Sequence, residues 1–307
     1  MHANSIRYIA HADLDRNKWD QCVNDSPSGL IYAYSFYLDR MSSHWDALVL
    51  GDYTSIMPLT WKSKAGIHYL YQPAFTPNLG VFGKNVDAQM VRSFIDAIPK
   101  RFRLIEINLN ARNIIGTTGN KDMSFMLRKN YLLALNRPYN QLYNAYNDNI
   151  KRNIKKSVSL GCRLERNVAL DKVIQLAKQQ LSNISNVTTA DLDNFSKLYN
   201  ELAPLEKAKS YGIYLGEELL SAAVYFFSNN RAYYILVGNH PNGKTMGTSH
   251  YLVDRFIADH AGRDITLDFE GSDISSLAFF YSSFGSKLEH YPSVRINRLP
   301  WYLKWLK

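Results

Sequence analysis
Three consecutive stretches decide how the chain reads: Glu218-Leu-Leu-Ser-Ala-Ala-Val-Tyr-Phe-Phe227, Arg231-Ala-Tyr-Tyr-Ile-Leu-Val237, and Gly238-Asn-His-Pro-Asn-Gly243-Lys244-Thr245-Met246-Gly247-Thr248-Ser249. The first two are β-branched and aromatic runs of strand length. Asn229-Asn230 between them tolerates the left-handed angles of a tight hairpin. A helical pattern from Met246 to Ala261 follows the third. Gly238 to Thr245 also spells G-x-x-x-x-G-K-[ST], the loop that cradles nucleotide phosphates. In that reading Lys244 would reach the terminal phosphates, Thr245 would hold Mg²⁺, and Asp268 would be the second acid. Topology argues against it. Too few strands follow for a parallel sheet, and the strand before the loop is a hairpin arm, antiparallel to its predecessor. What survives is a turn that opens onto a helix N-terminus, where free N–H groups suit an anion. The plain alternative is a surface turn that collects Gly, Asn and Pro without a ligand.

Working outward, Ser210–Leu215 reads as a strand that turns at Gly216 into the hairpin. Ile265–Phe269 is a further strand, Asp273–Ser282 a helix and Lys287–Asn297 a closing strand. Before the hairpin lie a helix over Tyr143–Ser159 stopped by Gly161, a short strand Arg163–Glu165, and helices Leu170–Gln180 and Ala190–Ala203. The first half shows the same grammar. Helices near Asp15–Val23 and Ser35–Met41 precede strands Ala47–Leu50, Thr54–Trp61 and Ile67–Tyr71. Then come a helix over Asp87–Ala97 and strands Arg103–Asn108 and Phe125–Leu135. The repeat predicts two mixed α/β domains, 1–138 and 139–307, with the boundary near Asn136–Tyr143, where Pro138 interrupts.

The 307 residues suit two cores. Apolar residues at 46% and charged ones at 21% are ordinary globular values, and a net charge of +9 favours phosphate-bearing partners. No block of like charge resembles a nucleic-acid tail, so DNA is not expected. Cys22 and Cys162 form no CxxC, and the histidines show neither HxH nor HExxH spacing. No metal is expected, and the thiols are expected buried and free. No signal-peptide pattern and no long apolar run appears, so the expectation is a cytoplasmic protein without integral membrane contact.

Two segments carry a family resemblance. Tyr146-Asn-Asp-Asn-Ile-Lys151-Arg152-Asn153-Ile-Lys155-Lys156-Ser157, closing at Gly161, resembles the R-x-N-I-R-K-A…G helix of the FemABX-like branch of the GNAT superfamily. Leu267-Asp268-Phe269-Glu270-Gly271-Ser272, with Phe279-Phe280-Tyr281-Ser-Ser-Phe284-Gly285, resembles its D-F-x-G-S…F-K-x-x-F-G segment. Tyr281 stands where the family often has Lys. Lys244-Thr-Met-Gly247-Thr-Ser249 is similar to a degenerate form of the GNAT loop [QR]-x-x-G-x-[GA], which holds the coenzyme A pyrophosphate. The resemblance implies two GNAT-like domains in tandem around a cleft, the first of them degenerate. It implies transfer of an acyl group from acyl-CoA, or of an aminoacyl group from a tRNA ester, to an amine such as a small molecule or a cell-wall precursor.

On that footing Lys244, Thr245, Gly247, Thr248 and Ser249 are the candidate donor loop, with acyl-CoA as a possible co-substrate and no tightly bound cofactor. Glu270 and Asp268 are the candidate catalytic acids, since a carboxylate near an incoming ammonium can take its proton. Asp273 is expected to cap the following helix. Arg152, Lys155 and Lys156 form a basic stripe with Lys151 at i, i+1, i+4 and i+5, either for phosphates or as a solvated face. Tyr69, Tyr71, Gln72 and Tyr281 are candidate substrate contacts. A reading of another class stands beside the enzyme: a GNAT-like module that has lost its chemistry and binds a glycan, lipid or peptide.

Overall fold
The computed structural model describes residues 5–115, 123–184, 187–271 and 273–301. They form two compact units. Unit 1 comprises residues 1–128 with 290–307, and unit 2 residues 129–289.

Unit 1 begins with β1 (Ile6–Ile9), α1 (Arg16–Asp25) and α2 (Ser35–Met41). An antiparallel series follows: β2 (Trp45–Leu50), β3 (Ser55–Lys64) and β4 (Ile67–Leu70), with β1 on the outer edge of β2 and the two-residue β5 (Phe82–Gly83) on β3. The amphipathic α3 (Ala88–Asp96) then crosses over to β6 (Phe102–Asn108), which lies parallel to β4. Asp87 caps α3 by accepting the Met90 N–H at 2.7 Å. Val91, Phe94 and Ile95, spaced i, i+3 and i+4, are buried with Met57, Leu59, Leu70 and Ile105.

Unit 2 opens inside β7 (Met123–Ala134) and continues through α4 (Tyr139–Asn144), α5 (Asp148–Ser159), β8 (Arg163–Arg166), α6 (Leu170–Ile184) and α7 (Thr189–Leu202). The meander β9 (Ala208–Leu215), β10 (Glu218–Ser228) and β11 (Arg231–Asn239) is antiparallel, with β8 on its outer edge. Helices α8 (Pro241–Met246) and α9 (Thr248–His260) cross over to β12 (Thr266–Asp268), which is parallel to β11. After α10 (Ser275–Ser282) the chain enters β13 (Lys287–Asn297). The core packs Leu252, Phe256 and Ile257 of α9 against Tyr225, Tyr234 and Leu267 of the sheet. Phe256 stacks on Tyr225 at 3.7 Å, and its full burial contributes roughly 2–3 kcal/mol.

In each unit the strand beside the last parallel one arrives from elsewhere in the chain. β13 pairs antiparallel with β6 through Ser293–Asn297, and β7 pairs antiparallel with β12 through Leu132–Ala134. The sequence reading leaves the closing strand with its own half and places the boundary at 138. In the structure the second unit starts within β7, and residues 290–307 belong to the first.

Two expected helices are each broken in two. The helix over 143–159 separates into α4 and α5 because Asn147 starts a new one, its side chain accepting the Ile150 N–H at 3.1 Å. The helix from 246 is divided at Gly247, which at φ +74° ends α8 after Met246 and starts α9 at Thr248. Asp273 does not cap α10. Ile274 occupies that position, and the Asp273 carboxylate accepts the Lys129 N–H at 3.2 Å instead. Cys22 and Cys162 are buried and free.

Candidate functional site
The extra residue in β11 sets the geometry of unit 2. Val224 pairs with Leu236 and Tyr225 with Tyr234, so Ile235 is a bulge. Beyond it the His240 N–H bonds the Leu220 carbonyl on β10. Main-chain groups alternate sides along a strand, so Val237 turns its N–H away from β10. That is the side of β12. Yet β12 pairs with β11 only at Arg231, Ala232 and Tyr233. β12 ends at Asp268, opposite Tyr233, so the rest of β11 runs on without pairing to it.

The end of β12 carries the candidate acids. The Asp268 side chain is 5% exposed and is spoken for. One oxygen holds the Arg231 guanidinium at 2.8 Å and the other accepts the Glu270 N–H at 2.9 Å. That bond closes a turn in which Glu270 itself has φ +66°, a left-handed angle that a side chain adopts at a cost of roughly 1 kcal/mol or more. Gly271 continues the turn at φ +72°, where a Cβ would lie 2.3 Å from the Lys129 carbonyl oxygen, so only glycine fits. Burial pushes the Glu270 carboxyl well above the usual carboxylate range. Burial and the neighbouring Glu270 charge raise the Tyr281 phenol. The Tyr281 ring stacks on Phe269 at 4.9 Å and meets Tyr234 edge-on at 6.4 Å. Glu270 and Tyr281 are therefore neighbours, and Asp268 positions Glu270.

The 244–249 loop is braced from behind by α5. The Lys156 ammonium donates to the Thr245 carbonyl at 2.8 Å and the Ser157 hydroxyl to the Met246 carbonyl at 2.7 Å. A Cβ on Gly247 would sit 2.6 Å from the Asn153 carbonyl oxygen. The Thr248 side chain is buried, hydrogen-bonded to Ser221 at 2.5 Å, and Ser249 donates to the Asn239 side chain at 2.6 Å. What these residues offer a ligand is thus main chain: α9 starts at Thr248, and its leading N–H groups carry the partial positive charge of a helix N-terminus. Lys244 and Thr245 are exposed, with the Thr245 hydroxyl donating to the Asn242 carbonyl. His250, one turn in, has a pKa lowered to about 4 by burial, and its ring edge meets Phe280 at 5.0 Å.

The basic stripe divides by function. Lys156 braces the loop, and Lys151 donates to the Asn144 carbonyl at 3.2 Å. Arg152 and Lys155 extend into solvent. In unit 1, Gln72 is committed to the fold, accepting the Asn108 N–H at 3.0 Å and donating to the Thr76 carbonyl at 2.6 Å. Tyr69 and Tyr71 meet at 6.3 Å, and the Lys62 ammonium lies 4.4 Å from the Tyr71 ring centre. Tyr71 and Gln72 line an open cavity of about 650 Å³ in this unit with Glu106, Asn108, Arg128 and Arg295. Sequence reasoning missed those last four. The alternation of Glu106 and Asn108 on β6 is the signal that would have found two of them.

Residues 145–274 match the family described as Acetyltransferase (GNAT) domain. The fold as a whole is similar to that of solved structures. FemX superposes with a TM-score of 0.64 at 12% identity, over 96% of this chain and 98% of that one. A conserved protein of unknown function from Bacteroides thetaiotaomicron gives 0.59 at 10%, over 96% and 99%. A tandem GNAT protein from the clavulanic acid biosynthesis pathway gives 0.55 at 9%, again over 96% and 99%. No curated protein sequence matches the chain. Among the described residues no group of three or more His, Cys, Asp or Glu is placed to hold a metal, and no helix is long and apolar enough to cross a membrane.

Proposed function
We propose that this chain, FemABX-like and built on the tandem GNAT fold of FemX, is an N-acyltransferase in which Glu270 is the general base. An amine attacks the carbonyl carbon of a thioester or a tRNA ester. Glu270 takes the proton that the nitrogen loses as the C–N bond forms. The tetrahedral oxyanion is held by main-chain N–H groups of β11, Val237 among them. Its collapse breaks the C–S or C–O bond, and the departing thiolate or ribose oxygen takes up a proton. Asp268 is a positioning residue, and Tyr281 contacts substrate beside Glu270. The observation that carries this reading is Glu270 itself. A carboxyl of raised proton affinity, held in a strained turn, stands just past the end of β12, the strand parallel to β11.

The α9 N-terminus with Gly247, Thr248 and Ser249 would take donor phosphates, and Arg152 and Lys155 would add charge for a phosphate-rich donor or acceptor. The amine acceptor would be a small molecule or a cell-wall precursor. The test is ester or thioester turnover by the folded variants Glu270→Gln and Asp268→Asn. If both retain full activity, the proposed base is wrong. The second reading, a binding module without chemistry, is favoured by one observation: the side chains of Lys156, Thr248 and Ser249 are spent on protein contacts.

A further inference from the structure
A pocket of about 520 Å³ lies in unit 2 at the other end of α9 from the donor loop. Its walls come from the end of β8, the start of β9, the turn after α7 and the α9 C-terminus. Arg166 and Asp259 pair there through a fork of two bonds, 2.6 and 2.7 Å, and Tyr211 donates to the same carboxylate at 3.1 Å. Asp259 is thereby satisfied, and the Arg166 partner lowers its pKa against the effect of burial. Two cations remain, Lys209 and Arg263. Among the described residues no carboxylate lies within ion-pair distance of either; the other acid on the wall, Glu206, is exposed. His260 completes the lining. It is buried, with its ring stacked 4.2 Å from Phe256 and 5.6 Å from Phe227. Its Nδ1 lies 2.9 Å from the Phe256 carbonyl, which can only accept, so Nδ1 carries hydrogen and Nε2 is the open nitrogen.

We propose that this pocket binds a phosphoryl group, held by Lys209 and Arg263 with Nε2 of His260 as a third contact. Two cations on the walls of one concave, polar pocket, Lys209 with only the Phe227 ring 5.9 Å from its ammonium and neither matched by a carboxylate among the described residues, offer a tetrahedral dianion charge-assisted bonds. Binding is linked to a proton. Burial, with the positive charges of Arg263 and Lys209, lowers the His260 pKa, while the Phe256 carbonyl and Asp259 oppose the shift. The empty pocket therefore holds a neutral ring at neutral pH. A dianion beside Nε2 favours the imidazolium, so binding takes up a proton and tightens as pH falls. Arg166, Tyr199, Glu206, Tyr211 and Asp259 are the other titratable groups on the walls. The source of the group is either free inorganic phosphate or a phosphomonoester.

The experiment is isothermal titration calorimetry of the full chain with inorganic phosphate, with sulfate as a dianion that does not titrate, and with AMP, at about pH 6 and about pH 8. We expect sulfate to bind more tightly at the lower pH, with proton uptake read from buffers of different ionisation enthalpy. Lys209→Ala and Arg263→Ala, both solvent-accessible positions, should each weaken it by about 10-fold or more. AMP binding more tightly than phosphate assigns the monoester, and equal affinities assign the free ion. Absence of binding by all three probes, or affinity unchanged in the double variant, overturns the proposal.

Discussion
Glu270 combines two properties that ordinary surface glutamates lack: a left-handed backbone and a carboxyl of raised pKa. If it is the base, Glu270→Gln should lower the transfer rate by roughly 10²–10⁴-fold, the usual scale for a positioned base. The wild-type rate should rise with pH as the carboxyl ionises, and the variant should lose that limb. The same shift has a stability consequence. A group whose folded pKa lies above its unfolded value stabilises the fold below the unfolded pKa, and that contribution is lost as pH rises through the folded one. Glu270→Gln should therefore raise the urea midpoint relative to wild type at neutral pH and above, with the gain shrinking toward acid. A midpoint difference that does not change with pH would contradict the burial argument. The candidacy of Glu270 was legible in the sequence because Asp268-Phe-Glu270-Gly271 is a compact motif. That Asp268 serves to hold Arg231 and the turn was not, because its partner lies 37 positions away.

At the scale of elements, the turn chemistry read well where the determinant was local. Asn229 and Asn230 adopt φ +49° and +52°, and Gly161 follows α5 at φ +79°, as the hairpin and helix-stop readings require. The misreadings arose where contacts outside the segment chose the structure. Helical periodicity runs unbroken through Ala145–Asn147, yet the Asn147 N–H bonds the Ser283 carbonyl at 3.0 Å, and its side chain begins α5. Asn147→Ala should cost about 1 kcal/mol in a urea titration, the scale of a lost N-cap. Gly247 is the more demanding position. Gly247→Ala meets both a positive φ and the Asn153 carbonyl, so it should destabilise by more than the roughly 1 kcal/mol of the angle alone. It should also weaken any donor held at the α9 N-terminus. Unchanged stability in that variant would refute the close approach of α5 to the loop.

For the whole molecule, the repeated order of meander, crossover helix and parallel strand was visible as pattern because hydrophobic period and turn residues recur in both halves. The exchange of closing strands was not, since pairing β13 with β6 and β7 with β12 depends on long-range geometry that leaves no local mark. The donor's size and charge remain a prediction at this scale. A net charge of +9 and a solvent-facing Arg152 and Lys155 suit a polyanion. If the donor is aminoacyl-tRNA, the logarithm of affinity should fall linearly with the logarithm of salt, with a slope set by the number of phosphates contacted. Binding of acyl-CoA should depend far less on salt and should fail in Gly247→Trp.

The most direct test of the transferase account is donor binding. The purified chain would be followed by thermal shift against acetyl-CoA, a long-chain acyl-CoA and bulk aminoacyl-tRNA at two salt concentrations. The account predicts stabilisation by one donor class: a CoA thioester whose effect disappears in Gly247→Trp, or aminoacyl-tRNA whose effect falls steeply with salt. No stabilisation by any of the three at either salt concentration would contradict it and leave the binding module.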